Sequence, residues 1–240
     1  MSSSLYVALS GQVAMERRLQ TVANNVANLS TVGFRAEEVK FETLLSKAGA
    51  TDVAFSTRGD TYISRRPGGV SFTGNAFDIA IQGDAWFAFE TPEGVVYSRD
   101  GRLQMSELGD VTTIDGYPVL DAGGAPLRFD PEGGPPQIGS DGSITQGDVD
   151  IGAIGLFRIP ETARLVRHGG SGVIPSEPGI AVDDMTTVQV RQGFIESANV
   201  DPMAEITKLI MIQRAFESAS AAIEESERSM DKAIQTLGPA

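Results

Sequence analysis

Two stretches at opposite ends of this chain carry the same hydrophobic rhythm, and that rhythm limits what can lie between them. Leu5, Ala8, Gln12, Met15, Leu19, Val22, Val26 and Leu29 step by three and four without a break. Ile206, Leu209, Gln213, Phe216, Ser220, Ile223, Glu227, Met230, Ile234 and Leu237 do the same at the other end. Alternating steps of three and four set one row of side chains along a helix, the seam on which it packs along another helix. No helix buries its own seam, so each end implies a partner: the other end, or a neighbouring copy. The expected fold is α+β, with a discontinuous terminal α-helical coiled-coil domain (1–35 and 199–240) and a mainly antiparallel β central domain (76–198). Residues 36–75, rich in Gly, Ser and Thr over much of their length, are expected as an extended arm or linker.

The helix ends are marked by local chemistry. Ser2 to Ser4 offer hydroxyls to the orphan N–H groups of the first helix. Its pattern runs to Leu29, about 40 Å at 1.5 Å per residue, and Gly33 then offers the backbone freedom that a turn needs. Asp201 is a good N-cap and Pro202 suits the first helical position, which needs no N–H. Gly238-Pro239 closes the last helix. Polar residues inside the seams, Gln12, Gln213, Ser220 and Glu227, fit a role in setting register and partner choice.

The middle has the period of strands. Phe77, Ile79 and Ile81 alternate with Asp78 and Ala80, and Trp86-Phe87-Ala88-Phe89, Val95-Val96-Tyr97, Val111 to Ile114, Ile154 to Ile159 and Val188 to Val190 are short and β-rich. Pro92-Glu93-Gly94, Asp100-Gly101, Asp115-Gly116, Gly123-Gly124 and Asp141-Gly142 separate them, and Asp-Gly is a preferred tight-hairpin signal.

Composition removes several function classes. The formal net charge of −13 opposes binding to nucleic-acid phosphates or to an anionic membrane surface. There is no cysteine, hence no disulfide, no thiolate catalysis and no zinc–thiolate site. No apolar run approaches the ~20 residues of a membrane span, and the N-terminus lacks the basic and apolar regions of a cleaved signal peptide.

Catalytic chemistry finds little support. His168 is the sole histidine, in a segment expected to be a surface loop, with no second ligand or nucleophile at motif spacing. The acidic stretch Asp141 to Asp150 lacks the calcium-loop frame and is expected as a hairpin turn. No phosphate-binding glycine motif appears. The expectation is a non-enzyme without metal or cofactor.

Motifs at both ends point one way. The run Ala23-Asn24-Asn25-Val26-Ala27-Asn28-Leu29-Ser30-Thr31-Val32-Gly33-Phe34-Arg35 resembles the N-terminal signature of flagellar rod proteins, and Gln192-Gly193-Phe194-Ile195-Glu196-Ser197-Ala198-Asn199-Val200-Asp201 resembles the segment that opens their C-terminal helix. Gln213-Arg214-Ala215-Phe216-Glu217 matches a further motif within that helix, while Phe77 to Gly83 and Tyr97 to Gly101 resemble rod and hook motifs in the body. The chain is thereby similar to the flagellar axial family of rod, hook and hook-associated subunits; Ser220-Ala221-Ala222 departs from a more usual lysine-bearing stretch. Its short body and opening residues look most like a proximal-rod subunit, with a distal-rod or short hook-type subunit as the alternative.

The resemblance implies a structural subunit of the flagellar basal-body rod in the periplasm, exported by the flagellar type III apparatus without signal cleavage. It would pack against copies of itself and other rod subunits, polymerise through its terminal helices, and transmit torque. Assembly residues are then Leu5, Met15, Leu19, Val22, Val26, Leu29, Ile206, Leu209, Gln213, Phe216, Ile223, Met230, Ile234 and Leu237. The motif residues are Asn24, Asn25, Asn28, Thr31, Gly33, Phe34, Gln192, Gly193, Glu196, Asn199, Val200, Asp201, Gln213, Arg214 and Glu217. An enzyme on a β scaffold or a pilus-like adhesive subunit are the competing classes.

Overall fold

A computed structural model describes residues 2–40, 43–46, 53–56 and 60–237. The chain forms two compact units, one of Met1–Ala27, Glu37–Tyr62 and Asp201–Ala240, the other of Asn28–Ala36 and Ile63–Val200. The architecture is two helices, one near each end of the chain, with a mainly antiparallel β region between them in sequence.

The first unit is built on the helices. Helix α1 spans Ser2–Ala27 and helix α2 spans Pro202–Leu237. The expected cap of α2 is present: Asp201 Oδ1 accepts from the N–H of Met203 at 2.9 Å and of Ala204 at 3.2 Å. Those two donors have no partner within the helix, and the side chain supplies one. The end of α1 lies two residues earlier than its pattern, at Ala27, because Asn28 to Ser30 turn away, with the Thr31 N–H on the Asn28 carbonyl at 3.1 Å. Asn25 meets Glu205 at one point and Gln12 meets Ser220 at another, so the helices run antiparallel. Strand 37–40 with residues 60–62, and strand 43–46 paired with 53–56, complete this unit.

The second unit is a β body around a six-stranded antiparallel sheet. Its order is 165–168, 172–175, 94–98, 86–91, 156–158 and 180–181. Strand Trp86–Thr91 is buried on both faces, which is why it is apolar at consecutive positions rather than at every second one. Phe87 and Phe89 enter one core cluster with Ile79, Val111, Ile144, Ile154 and Leu156. Trp86 and Ala88 enter the other with Tyr97, Ile159, Leu165 and Val173. Two late segments close the body, 189–192 pairing with 79–82 and 194–196 pairing with 70–72.

Most turn signals hold. Asp141-Gly142 joins two paired strands, and Asp141 Oδ1 accepts from the N–H and hydroxyl of Ser143. Those bonds hold the Asp141 carboxyl below its usual value. Asp115-Gly116 is likewise a tight turn, its glycine N–H on the Thr113 carbonyl. Asp100-Gly101 is a correction: the flanking strands 94–98 and 103–105 belong to different sheets. Glycine is required there by a close approach, since a Cβ at residue 101 would lie 1.8 Å from the Ile79 carbonyl oxygen.

Candidate assembly interface

The motif residues serve two distinct purposes, and the first is internal to the β body. Glu196 is buried at 1% side-chain exposure between two arginines, with Arg35 Nη1 at 2.7 Å from Oε1 and Arg99 Nε at 2.6 Å from Oε2. The Gly68 N–H also donates to Oε1 at 2.7 Å. Arg99 spends its other donors on the carbonyls of Ile81, Gly83 and Ala85. Arg35 donates to the Arg66 carbonyl and lies over the Trp86 ring at 5.5 Å. Burial pushes its guanidinium down to about 10, against the pull of Glu196, so it remains charged at neutral pH. Each arginine comes from a different motif in the sequence, and the glutamate from a third.

The backbone follows the same convergence. The Gly33 N–H donates to the Glu196 carbonyl at 2.7 Å. Gly33 has φ +70, and a Cβ there would lie 2.2 Å from the Asp100 nitrogen. Asn199 Oδ1 accepts from the Ala36 N–H at 2.6 Å, and its Nδ2 donates to the Arg66 carbonyl at 2.7 Å. Gln192 Nε2 donates to the carbonyls of Ala76 and Pro136, while its Oε1 accepts from the Ile138 N–H. Gly193 takes φ +78 and accepts from the N–H groups of Thr73 and Gly74. Phe34 is fully buried under the Arg167 guanidinium at 4.3 Å, and Thr31 donates to Asn28 Oδ1 at 3.1 Å. Val200 is half-buried where the body ends.

Asn25 does comparable work in the helical unit. It is 2% exposed, and its amide grips one residue of strand 37–40 twice, accepting from the Glu37 N–H and donating to the Glu37 carbonyl, each at 2.9 Å. Its second Nδ2 hydrogen points to Glu205 Oε2 at 3.3 Å. Asn24 is half-buried beside it in sequence.

The seams are only partly covered. On α1, Val22 is buried and Met15, Leu19 and Val26 are half-buried; Leu29 is half-buried in the β body. The deepest side chains of α1 are Ala14, Thr21, Val22 and Asn25, a row that shares only Val22 with the seam and includes two polar residues. On α2, Leu209, Ser220 and Ile223 are half-buried with Ile212. Two polar seam residues find each other, Gln12 Nε2 donating to Ser220 Oγ at 3.1 Å. Ile206 and Phe216 remain 43% and 42% exposed, and Gln213, Arg214 and Glu217 are exposed as well. Met203, Ile206 and Ile210 make an open apolar row by steps of three and four, whereas Phe216 stands one heptad after Leu209. The side chains of Leu5, Met230, Ile234 and Leu237 lie outside those described.

The body also carries an open cleft of about 490 Å³, lined in part by Asp100, Arg102, Asp115, Tyr117 and His168. His168 differs from expectation: it ends the strand Leu165–His168 instead of lying in a loop. Its Nδ1 is 3.2 Å from Glu93 Oε2, and Arg102 is held by both oxygens of Asp100. Among the described residues no three histidine, aspartate or glutamate side chains gather as metal ligands, and no helix is long and apolar enough to cross a membrane.

Comparison with known proteins follows the same three segments. A family model described as flagella basal body rod protein matches residues 5–35. One described as the D1 domain of flagellar hook protein FlgE/F/G matches 80–146, and one described as the C-terminal part of flagellar basal body rod FlgEFG protein matches 191–236. The chain is 52% identical to a flagellar basal-body rod protein FlgF of Mesorhizobium japonicum, over 99% of each chain. It is 46% identical to the FlgF of Rhizobium meliloti and 37% identical to that of Caulobacter vibrioides, again over 99% of each chain.

Proposed function

The chain belongs to the flagellar basal-body rod protein family, and from that premise we propose that it polymerises into the rod through its two terminal helices. It is a structural subunit of the flagellar basal body, of the FlgF-like kind, and not an enzyme. In the proposed assembly helices α1 and α2, which lie within 1–35 and 199–240, form a coiled-coil layer, and the β body, which holds 76–198, is a separate domain. Partners are other rod subunits and copies of this chain. The proposed site is the proximal rod in the periplasm, reached through the flagellar type III export apparatus without signal cleavage, and the rod so built transmits torque.

The observation that carries this reading is the open apolar row on α2. Met203, Ile206 and Ile210 are each more than 40% exposed, on a helix that already uses Leu209, Ile212 and Ile223 against its own chain. A helix with a second apolar edge suits a second helical partner. The proposed contact residues are Leu5, Met15, Leu19, Val22, Val26, Ile206, Leu209, Gln213, Phe216, Ile223, Met230, Ile234 and Leu237, with Leu29 at the turn into the body. Hydrogen bonds of Asn25 and of the clasp around Glu196 give the family motifs a supporting role, holding the folds that present these residues.

The test is Leu209→Asp, which sets a charge in a half-buried apolar row. The variant is expected to keep its β circular-dichroism signal, to be absent from purified basal bodies, and to abolish swimming. Ser218→Asp, at an exposed position off the seam, is the control and is expected to swim. A Leu209→Asp subunit recovered in basal bodies at the normal amount would overturn assembly through α2.

A further inference from the structure

Two buried guanidiniums share one buried carboxylate, and the order in which the chain supplies them has a consequence for folding. Arg35 and Arg99 lie in the first hundred residues, and Glu196 comes 97 residues after Arg99. The three side chains are 3%, 2% and 1% exposed. Arg99 itself depresses the Arg35 guanidinium, through like-charge repulsion, while Glu196 and, more weakly, Asp84 support the charged form. One Arg35 N–H, at Nε, is buried without a hydrogen-bond partner. The two guanidiniums and one carboxylate together carry one positive charge in excess, which Asp84 offsets only weakly. Taking an ion out of water is unfavourable unless a counter-charge answers it, and here the answer arrives last in sequence.

The same late segment also completes the core. Val188 and Val190 lie in the main apolar cluster, strand 189–192 pairs with 79–82, and strand 194–196 pairs with 70–72. We propose that the Arg35–Glu196–Arg99 cluster makes folding of the β body conditional on the arrival of residues 188–196. A body assembled from residues 28–187 alone buries two like charges side by side, leaves core positions empty and leaves two strand edges open. Glu196 is therefore needed on the way to the fold, at the rate-limiting step, and not only afterwards as a brace. A chain whose last quarter is held elsewhere stays unfolded. This property belongs to the body and holds whether or not the helices assemble as proposed above.

The experiment is the refolding and unfolding kinetics of the full-length chain from urea, followed by the single Trp86. Trp86 is buried beneath the cluster, so its emission reports closure of the body. Glu196→Gln removes the counter-charge and keeps the shape. Its folding equilibrium is expected to fall roughly 150- to 5,000-fold, the range for breaking a buried pair. Most of that loss should appear as slower refolding, with unfolding changed less than tenfold. If instead refolding keeps its rate and unfolding accelerates, the carboxylate is a late brace and the proposal fails.

A second variant covers the case in which Glu196→Gln does not fold at all. Arg35→Met with Glu196→Gln removes one positive and one negative charge, so the cluster has the same net charge as the natural protein. Arg99 keeps its carbonyl acceptors. This double variant is expected to refold at least tenfold faster than Glu196→Gln, or to fold where the single variant does not. A double variant as impaired as the single one would show that packing, not charge, sets the barrier, and would overturn the proposal.

Discussion

Helix α2 and the clasp around Glu196 are neighbours in sequence and opposites in burial. Glu196 is 1% exposed and every oxygen of its carboxylate is engaged. Ten residues later Ile206 is 43% exposed, and Met203 and Met211 are more so. Both stretches fall within one family segment, residues 191–236. Family resemblance therefore does not mark one kind of residue. In the body it marks groups with internal partners, whose loss should destabilise the chain. On the helix it marks surface with no partner among the described residues of this chain, whose loss should leave the chain folded and assembly impaired.

The largest effect should come from the body. Gly33→Ala would place a Cβ 2.2 Å from the Asp100 nitrogen and 2.5 Å from the Arg99 carbonyl carbon, at φ +70. Backbone atoms cannot yield as a flexible side chain can. Strain at that φ and overpacking together should cost roughly 3–5 kcal/mol, measured as a lowered urea midpoint of the β body. A variant within 1 kcal/mol of the natural chain, on the scale of ordinary surface substitutions, would mean that the turn at 31–33 is free to move away from residues 99–100.

Asn25→Ala should be next. It leaves the Glu37 N–H and carbonyl without their amide partner and removes a bond to Glu205. Leaving buried groups unsatisfied costs about 1–3 kcal/mol. The loss should appear as faster amide exchange in strand 37–40 and around Glu205, with strands 86–91 and 156–158 unchanged. Equal loss in both sets would show that the two units do not open separately.

Asp201→Ala should cost less, about 1 kcal/mol, because it removes the cap from α2 but leaves its packing. The Met203 and Ala204 N–H groups are at an exposed helix start, where water replaces the lost acceptor. Helical circular dichroism should fray at that end only, and Asp201→Asn should restore most of it.

These differences also explain what was legible in the chain. Capping at Asp201-Pro202, the extent of α2 and the strand at 86–91 depend on neighbours within a few positions, so local chemistry exposes them. Asp115-Gly116 and Asp141-Gly142 were legible as turns for the same reason. Asp100-Gly101 misled, because its glycine answers a carbonyl of residue 79 and not its own turn. The clasp was visible only as motifs. Nothing in the spacing of Arg35, Arg99 and Glu196 says that the three meet, since ion pairs across 97 or more residues leave no periodic trace. The seams were legible as apolar rows, but which edge is buried was not. On α1 the buried row includes Thr21 and Asn25, polar residues whose bonds to Arg17 and Glu37 are tertiary or local backbone facts without a hydrophobic signature.

The smallest effect on stability is expected at the outer row of α2, and it gives the sharpest form of the comparison. Ile210 is 45% exposed on a helix whose half-buried positions are Leu209, Ile212 and Ile223. Ile210→Asp removes little buried area and places its charge where water can reach it, so the isolated chain should change by less than about 0.5 kcal/mol, as exposed substitutions do. If the row is an interface, the same change puts a carboxylate into a contact that excludes water, where its desolvation is uncompensated. Ile210→Asp should therefore match the natural chain in urea denaturation while its recovery in basal bodies falls tenfold or more. Ile210→Val, which keeps an apolar edge, should be recovered normally. A loss of stability in the isolated chain would mean that Ile210 already has a partner within it. Normal recovery of Ile210→Asp would make the outer row ordinary exposed surface and would remove the observation on which assembly through a second edge of α2 rests.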